Sequence, residues 1–351
     1  MTYVNQKGEH MKKKIAIILI AVFVFLAASG LAIGLATRKT SNKIRVNEVT
    51  HSIFYAPFYI AINKGYFKDE GLDLELVNGG GSNNSMNALL SGEADIALLG
   101  PETNIYVAGG GSTDTPKMFA QLTKRDGSLL VSKTPTNNFQ WSDLVGKTII
   151  GGRKGGVPAM TLQYVIEQIA GLEIGTGPNQ VNLRTDVEFN LTASVYEATD
   201  AEYCTMFEPG ASALVAAGKG HIVASIGAES GEIPYTGFAA KQSYMNKNPQ
   251  IIEKFIRAVI RGYRFLTSAP ISEVVDALVP SFESTSRETI QTSIQIYISI
   301  DAWASTPVMS ETAFEYLQTV MINAGELQNR VTFESAINTS FAAKVLAEMN
   351  G

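Results

Sequence analysis

From residue 44 onward the apolar and polar positions of this chain switch repeatedly between a period of two and helical spacing. Residues 44–50 alternate as a first strand, and LDLELV at 72–77 alternates as a second. Between them lies a short helix over 57–63, which Gly65 is placed to end. Met86, Leu89 and Leu90 recur at helical spacing, with Gly92 as the stop. Residues 95–99, apolar after Asp95, read as a buried strand, and Pro101 opens the next helix because its missing N–H would be unpaired there anyway. Further strands are predicted over 117–123, 128–133, 148–150, 187–189, 203–207, 221–225 and 235–240. Val157-Pro158 opens a helix carrying Leu162, Val165, Ile166 and Ile169 on one face, and 191–198 is helical. After 240 three amphipathic helices follow, marked by Ile252, Phe255, Ile256, Val259, Ile260 and Tyr263, then by Ile290, Ile294 and Tyr297, then by Phe314, Leu317 and Met321. Strands alternating with helices imply parallel sheets covered by helices.

The amino terminus follows another rule. Lys12-Lys13-Lys14 precede an uncharged run over 15–37, long enough to cross a bilayer at about 20 residues per span. Basic residues ahead of it keep that end in the cytoplasm and put everything after Arg38 outside. Two fates fit: an uncleaved anchor, which the length favours, or cleavage after Gly30 or Ala36 and secretion. Gly30 and Gly34 make a G-x-x-x-G helix-dimer motif, although small residues are common in membrane helices. Residues 1–10 read as a non-native or upstream-read extension, with Met11 as the natural start, because Lys7-Gly8-Glu9 can be encoded by a purine-rich stretch like a ribosome-binding site. Residues 37–43 are a polar linker.

Composition narrows the function. The 351 residues are 45% hydrophobic and 17% charged, enough for cores of considerable size, and the net charge of −5 gives no reason to expect nucleic acid. A single cysteine, Cys204, excludes an internal disulfide and a cysteine-based metal cluster. The three histidines, His10, His51 and His221, are scattered, so no metal or other cofactor is expected. No G-x-S-x-G is present, and neither His51 nor His221 has an evident nucleophile partner.

Candidate binding chemistry gathers at strand ends, because ligands of open α/β sheets bind outside the strand carboxyl ends. His51, Tyr55 and Tyr59 flank Ala56-Pro57 in an aromatic loop suited to stacking. Gly81, Ser82 and Asn83 start a helix behind three glycines, where backbone N–H groups can meet an anion or oxygen acceptor; Ser82 or Asn83 serves equally as a plain cap. Glu102 ends a buried strand, able to recognise an amine or to favour the helix it opens. Arg125 fits either an anion clamp or a surface ion pair. The GGRKGG run at 151–156 places Gly155 and Gly156 before a second helix, beside Arg153 and Lys154. Asn190 and Glu208 close two later strands. Glu102 and Glu208 with the aromatics suit an amine-bearing ring, whereas the glycine loops with Arg153 or Arg125 suit a sulfonate or another small anion. Two acids tilt the reading away from nitrate.

The run FYIAINKGYFKDEGLDLEL (58–76) and the run GGGSNNSMNALLSGEADIALLG (79–100) resemble the solute-binding proteins of ABC importers, in their nitrate, sulfonate, taurine and thiamine-pyrimidine branch. DLVGKTIIGG (143–152) and KNPQIIEKFIRAVIRG (247–262) fit the same family, so the resemblance spans essentially 44–351. It implies an α/β, two-lobed periplasmic-binding-protein-like fold (type II), each lobe a mainly parallel sheet flanked by helices, preceded by an N-terminal membrane helix or signal. The expected division is 1–10 extension, 11–43 leader and linker, 44–133 first lobe, 134–234 second lobe, and 235–351 the return to the first lobe with C-terminal helices. The resemblance further implies a monomer that traps a small-molecule solute between its lobes and docks on an ABC permease with its ATPase subunits. It puts Tyr55, Ser82, Asn83 and Glu102 on one wall and Gly155, Gly156, Asn190 and Glu208 on the other. The family's lipid-anchoring cysteine is missing, a departure that leaves both the uncleaved anchor and the cleaved signal open. The cysteine-rich iron motif of the related pyrimidine synthases is missing too, which argues against enzyme activity. A pyrimidine-synthase-like enzyme and a membrane-tethered sensor are the alternatives.

Overall fold

In a computed structural model describing residues 42–351 apart from Ser112, ten strands form two five-stranded sheets. They are β1 (Asn42–Glu48), β2 (Leu72–Asn78), β3 (Ile96–Leu99), β4 (Pro116–Thr123), β5 (Leu129–Ser132), β6 (Thr148–Ile150), β7 (Asn182–Arg184), β8 (Tyr203–Met206), β9 (His221–Ser225) and β10 (Thr236–Lys241). The first sheet has the order β2-β1-β3-β10-β4 and the second β7-β6-β8-β5-β9. The extension, anchor and cleavage sites expected before residue 42 lie outside the described residues; among the described residues no helix is long and apolar enough to cross a membrane.

Each sheet contains one reversed strand, in the same place. β1 pairs parallel with β3, but β10 runs antiparallel to both β3 and β4. β6 pairs parallel with β7 and β8, but β5 runs antiparallel to both β8 and β9. The sheets are therefore mixed, where mainly parallel ones were expected. The cause is the path of the chain. A strand that leaves one sheet at its carboxyl end and joins the other within a few residues arrives at that sheet's carboxyl edge. It must then run against its neighbours.

This path moves a boundary. The division expected after residue 133 left 128–133 in the first lobe. Instead β5 sits in the middle of the second sheet, and the chain crosses at 124–128. Leu129, Leu130 and Val131 are buried there, and an apolar run of this kind reads the same in either sheet. The second crossing runs through 226–235 into β10. The strand expected at 187–189 is also corrected: the pairing strand is the half-buried β7, Val187 is buried in the core of the second sheet outside any strand, and Phe189–Leu191 form a 3-10 turn.

The helices that position the cleft are α1 (Ala56–Asn63), α2 (Ser82–Ser91), α3 (Pro101–Gly109), α4 (Val157–Tyr164), α5 (Thr192–Ala198), α6 (Gly210–Ala216), α7 (Pro249–Ser268), α8 (Arg287–Ser299) and α9 (Glu311–Asn323). The largest core lies under the first sheet, where Phe58, Phe238 and Phe255 meet, the last two with ring centroids 4.9 Å apart. Gly262 lets α7 lie directly on α1: a Cβ there would stand 2.0 Å from the Pro57 carbonyl oxygen. The second sheet is covered on both faces. Val131 and Cys204 pack with Tyr196 and Leu214, while Leu130 and Ile149 pack with Leu162 and Ile166.

Candidate functional site

The carboxyl ends of both sheets face one gap, and short loops there become helix starts. On the first wall, Ser52 caps the 3-10 turn Ile53–Tyr55 by accepting the Phe54 N–H, and this sets Tyr55 into the gap. Gly79 permits a close approach beneath the next loop, where a Cβ would fall 2.4 Å from the Asn47 side-chain oxygen. Ser82 Oγ then accepts the Gly100 N–H at 3.1 Å, tying the start of α2 to the end of β3. Pro101 opens α3 and aims Glu102 inward, 2% exposed. On the facing wall, Arg153 lies between Gly152 and Lys154, Gly156 leads into α4, and Phe189 and Phe207 stand beside it. Tyr235 and Thr236, at the end of the second crossing, complete the lining.

These groups enclose a cavity of about 60 Å³. The lobes touch across it. Tyr106 donates to the Gly155 carbonyl at 3.1 Å, and the Tyr316 hydroxyl meets that of Tyr164 at 3.0 Å. Ser52 Oγ donates to the Glu208 carbonyl at 2.6 Å, while the Glu208 N–H donates to the Tyr297 hydroxyl at 2.8 Å.

The cavity is mostly apolar, with a few convergent polar groups. Glu102 Oε2 is buried and has no hydrogen-bond partner. Burial pushes its carboxyl up to about 7, opposed by nearby backbone N–H groups, including that of Val157 at the start of α4, and by the Arg153 charge. The Tyr235 hydroxyl is likewise buried and unpartnered. Asp126, in the first crossing, accepts from the Ser128 N–H and hydroxyl, and burial pushes it up to about 7 as well. Burial and the neighbouring Glu48 and Glu102 drive the Tyr55 phenol far above its usual range.

Of the residues singled out from sequence, Tyr55, Gly81, Ser82, Glu102 and Gly156 line this cavity. Gly155 sits at its edge, its carbonyl taken by Tyr106. His51, Asn190 and Glu208 line a second cavity of about 190 Å³. The other three are not brought to the site. Asn83 is exposed in the first turn of α2. Tyr59 is fully buried and donates to the Glu48 carboxylate, so it belongs to the core. Arg125 is in the first crossing, where its guanidinium donates to the Gly227 carbonyl at 3.4 Å and lies 3.8 Å from Glu232. His51 is occupied on both ring nitrogens, by Glu48 at 2.9 Å and the Ser281 carbonyl at 2.7 Å. Its hydrogen bond to Glu48 raises its pKa. Glu208 accepts the Ser212 N–H at 3.0 Å and its hydroxyl at 2.8 Å, which caps α6.

Phe207 was missed as a site residue although it directly follows β8, where the strand-end rule applies. Phe189 was hidden by the misplaced strand, and Tyr235 has no local signal. Arg153 was weighed with its glycine-rich run and now lines the cavity. Among the described residues no group of His, Cys, Asp and Glu is arranged to hold a metal.

Comparison with known proteins agrees with this fold. A family model described as NMT1/THI5 like matches residues 53–272. A protein of Bacillus subtilis (strain 168) named "Putative binding protein YtlA" is 40% identical over 311 residues, 88% of this chain and 92% of its own. Two solved structures share the fold: the ligand-binding component of an ABC-type import system from Staphylococcus aureus (TM-score 0.69, 14% identity, 87% of this chain and 99% of that one) and the alkanesulfonate-binding protein SsuA from Xanthomonas axonopodis pv. citri (TM-score 0.67, 12% identity, 85% and 98%). The desulfurization enzyme DSZB has it too, with a TM-score of 0.61 at 13% identity over 88% of this chain and 99% of that one, so the fold alone does not fix the activity.

Proposed function

The chain belongs to the NMT1/THI5-like family, and on that premise we propose that it is an extracytoplasmic solute-binding protein of an ABC importer. It closes two lobes on a small organic solute and hands it to a membrane permease and its ATPase. A binding role, not an enzymatic one, is supported by the name of the Bacillus subtilis relative and by a cleft without a nucleophile–base pair. Ligand contacts on both walls exist together only when the lobes meet, so a ligand shifts the population to the closed form.

One observation carries the choice of ligand: the unpartnered, buried Glu102 Oε2 in a cavity walled by aromatic rings. A buried carboxyl without a partner is costly, and an N–H donor from a ligand removes that cost. An aminopyrimidine of the thiamine-precursor kind fits. Its ring stacks against Tyr55 or Phe207, its amino group donates to Glu102, and the carboxyl in its protonated form donates in return to the ring nitrogen. A second reading is favoured by Arg153 on the same lining. An aminosulfonate such as taurine would set its ammonium on Glu102 and its sulfonate near Arg153 and the start of α4.

The test is a thermal-shift screen of aminopyrimidines, taurine, alkanesulfonates and nitrate. A ligand at a hundredfold excess over Kd stabilises the folded form by about 2.7 kcal/mol, and X-ray scattering should then register compaction. Tight binding without compaction would refute the closing-trap reading. Strong binding of nitrate alone would refute the role given to Glu102.

A further inference from the structure

The contacts of His51 demand a proton that its neutral ring does not have. Nδ1 lies 2.9 Å from one Glu48 oxygen, and Nε2 lies 2.7 Å from the Ser281 carbonyl oxygen. The other Glu48 oxygen already accepts the Tyr59 hydroxyl. A carbonyl oxygen only accepts, so Nε2 must carry hydrogen, and a neutral imidazole has a single N–H. Nδ1 would then be a bare acceptor against a carboxylate. Both contacts exist together only when the Glu48–His51 pair holds one further proton, on Nδ1 or on the carboxyl.

No other neighbour supplies or removes that proton. Burial, and after it the Glu48 charge, hold the Tyr59 phenol well above its usual range, so it stays protonated. Phe282, with its ring centroid 4.7 Å from that of His51, is uncharged. Glu208, on the second-cavity lining that His51 shares, has both oxygens taken by Ser212. The His51 side chain is 37% exposed, so its proton exchanges with solvent.

The two partners of His51 lead to one place. Ser281 ends the 3-10 turn Val279–Ser281, and the chain runs on from it into α8. On α8, the Tyr297 hydroxyl accepts the Glu208 N–H; beside His51, the Ser52 hydroxyl donates to the Glu208 carbonyl. The elements that His51 ties together are therefore the two by which the first lobe grips the Glu208 backbone of the second.

We propose that the Glu48–His51 pair is a proton-dependent brace: with its extra proton it fastens the 50–52 loop to the turn before α8 and steadies the grip on Glu208, and without it the bond to Ser281 is released and the grip loosens. The released bond is the one to Ser281 because the remaining N–H stays on the carboxylate, the stronger acceptor, which leaves a ring lone pair against the carbonyl oxygen. The hydrogen bond to Glu48 raises the histidine above its ordinary value, so the brace is complete below the ordinary range and is lost as pH rises through the raised one. The link to the lobes rests on the closing trap argued above.

The test is hydrogen exchange between pH 6 and pH 9, read by mass spectrometry on the full chain in detergent and corrected for the intrinsic pH dependence of exchange. Phe282 and Thr285 donate their N–H groups within the turn, to Val279 and Phe282, and Glu208 donates its own to Tyr297. These amides should lose protection about fivefold, the worth of one hydrogen bond, with a common midpoint above the histidine reference of about 6.5. Glu48→Gln separates the brace from plain packing. Its amide can donate to Nδ1 while its oxygen accepts from Tyr59, so a neutral His51 keeps both contacts and protection should stay high at pH 9. His51→Gln should give a flat profile at the level that the unsubstituted protein reaches at pH 9. A flat profile in the unsubstituted protein, the same profile in Glu48→Gln, or a response of the turn without the Glu208 amide would overturn the proposal. No solute is added, so such a failure leaves the binding function standing.

Discussion

Two carboxylates occupy matching places in the two lobes and have opposite fates. β3 and β8 each hold the central position of their sheet, and each ends at a short turn with an acid and a proline, Pro101-Glu102 in one and Glu208-Pro209 in the other. Both acids are buried, at 2% and 0% exposure. In the first lobe the proline comes first and opens α3, so Glu102 falls in the first helical turn and lines the cavity with one buried oxygen unpartnered. In the second lobe the acid comes first and both of its oxygens turn back to Ser212. The order of two residues separates a carboxyl with an unpartnered oxygen at the cavity from a carboxyl spent on its own helix.

The largest expected effect follows directly. Glu102→Gln should weaken an amine-bearing ligand by about 100-fold, near 3 kcal/mol, whereas Glu208→Gln should change affinity less than about threefold because it keeps an acceptor for Ser212. Equal losses in calorimetry would erase the distinction. The pH dependence of affinity sharpens it further. With Glu102 pushed up to about 7, a permanently cationic head binds better as pH rises through that value, while a neutral aminopyrimidine, which shares the carboxyl proton, binds worse by about tenfold per unit above it. A flat profile would remove Glu102 from the site.

Stability responds in the same direction as for any carboxyl whose folded value is raised. Glu102 holds its proton more tightly when folded, so its contribution is greatest below the ordinary carboxylate range and is lost as pH rises to about 7. Glu102→Gln should therefore raise the melting temperature at pH 8 more than at pH 5. The parallel slope from Asp126 would remain. Glu208→Ala removes an oxygen pair that caps α6 and should cost about 1–2 kcal/mol, read by denaturant melts.

Smaller effects lie at the contacts between lobes and beside them. Tyr106→Phe deletes one cross-lobe hydrogen bond and should shift the open–closed balance by about fivefold, or 1 kcal/mol, visible as a larger radius of gyration without ligand. His51→Gln tests the Glu48 pair. The histidine's raised value means that its stabilisation is present below the ordinary histidine pKa and is lost as pH rises through the folded one. The substitution should lower stability at pH 6 by under about 1 kcal/mol and hardly at all at pH 9.

The parts of the site legible in the sequence were those set by local backbone demands. Gly65 and Gly92 end their helices at φ of +77° and +80°, as their places after apolar runs predict. Strand ends followed by glycine or proline located Ser82, Glu102 and Gly156, because helix starts and close approaches need those residues. What escaped was decided at long range. β5 does not carry in its own residues the sheet that it joins. Tyr235 reaches the cavity because of a crossing far along the chain. Arg125 reads as an anion clamp until Gly227 and Glu232 arrive from the other crossing. His51 looks available until Ser281, 230 positions away, takes its second nitrogen.

The exchange of β5 and β10 also bears on how the protein is made. All five strands of the second sheet lie within one continuous stretch, 129–225, and are present as soon as Ser225 has left the ribosome. The first sheet begins earlier but lacks the strand between β3 and β4 until Lys241 has emerged. At a synthesis rate of about 5–20 residues per second, the lobe that starts first waits for the lobe inserted into it. The later lobe can complete its sheet first and then deliver the strand that completes the other.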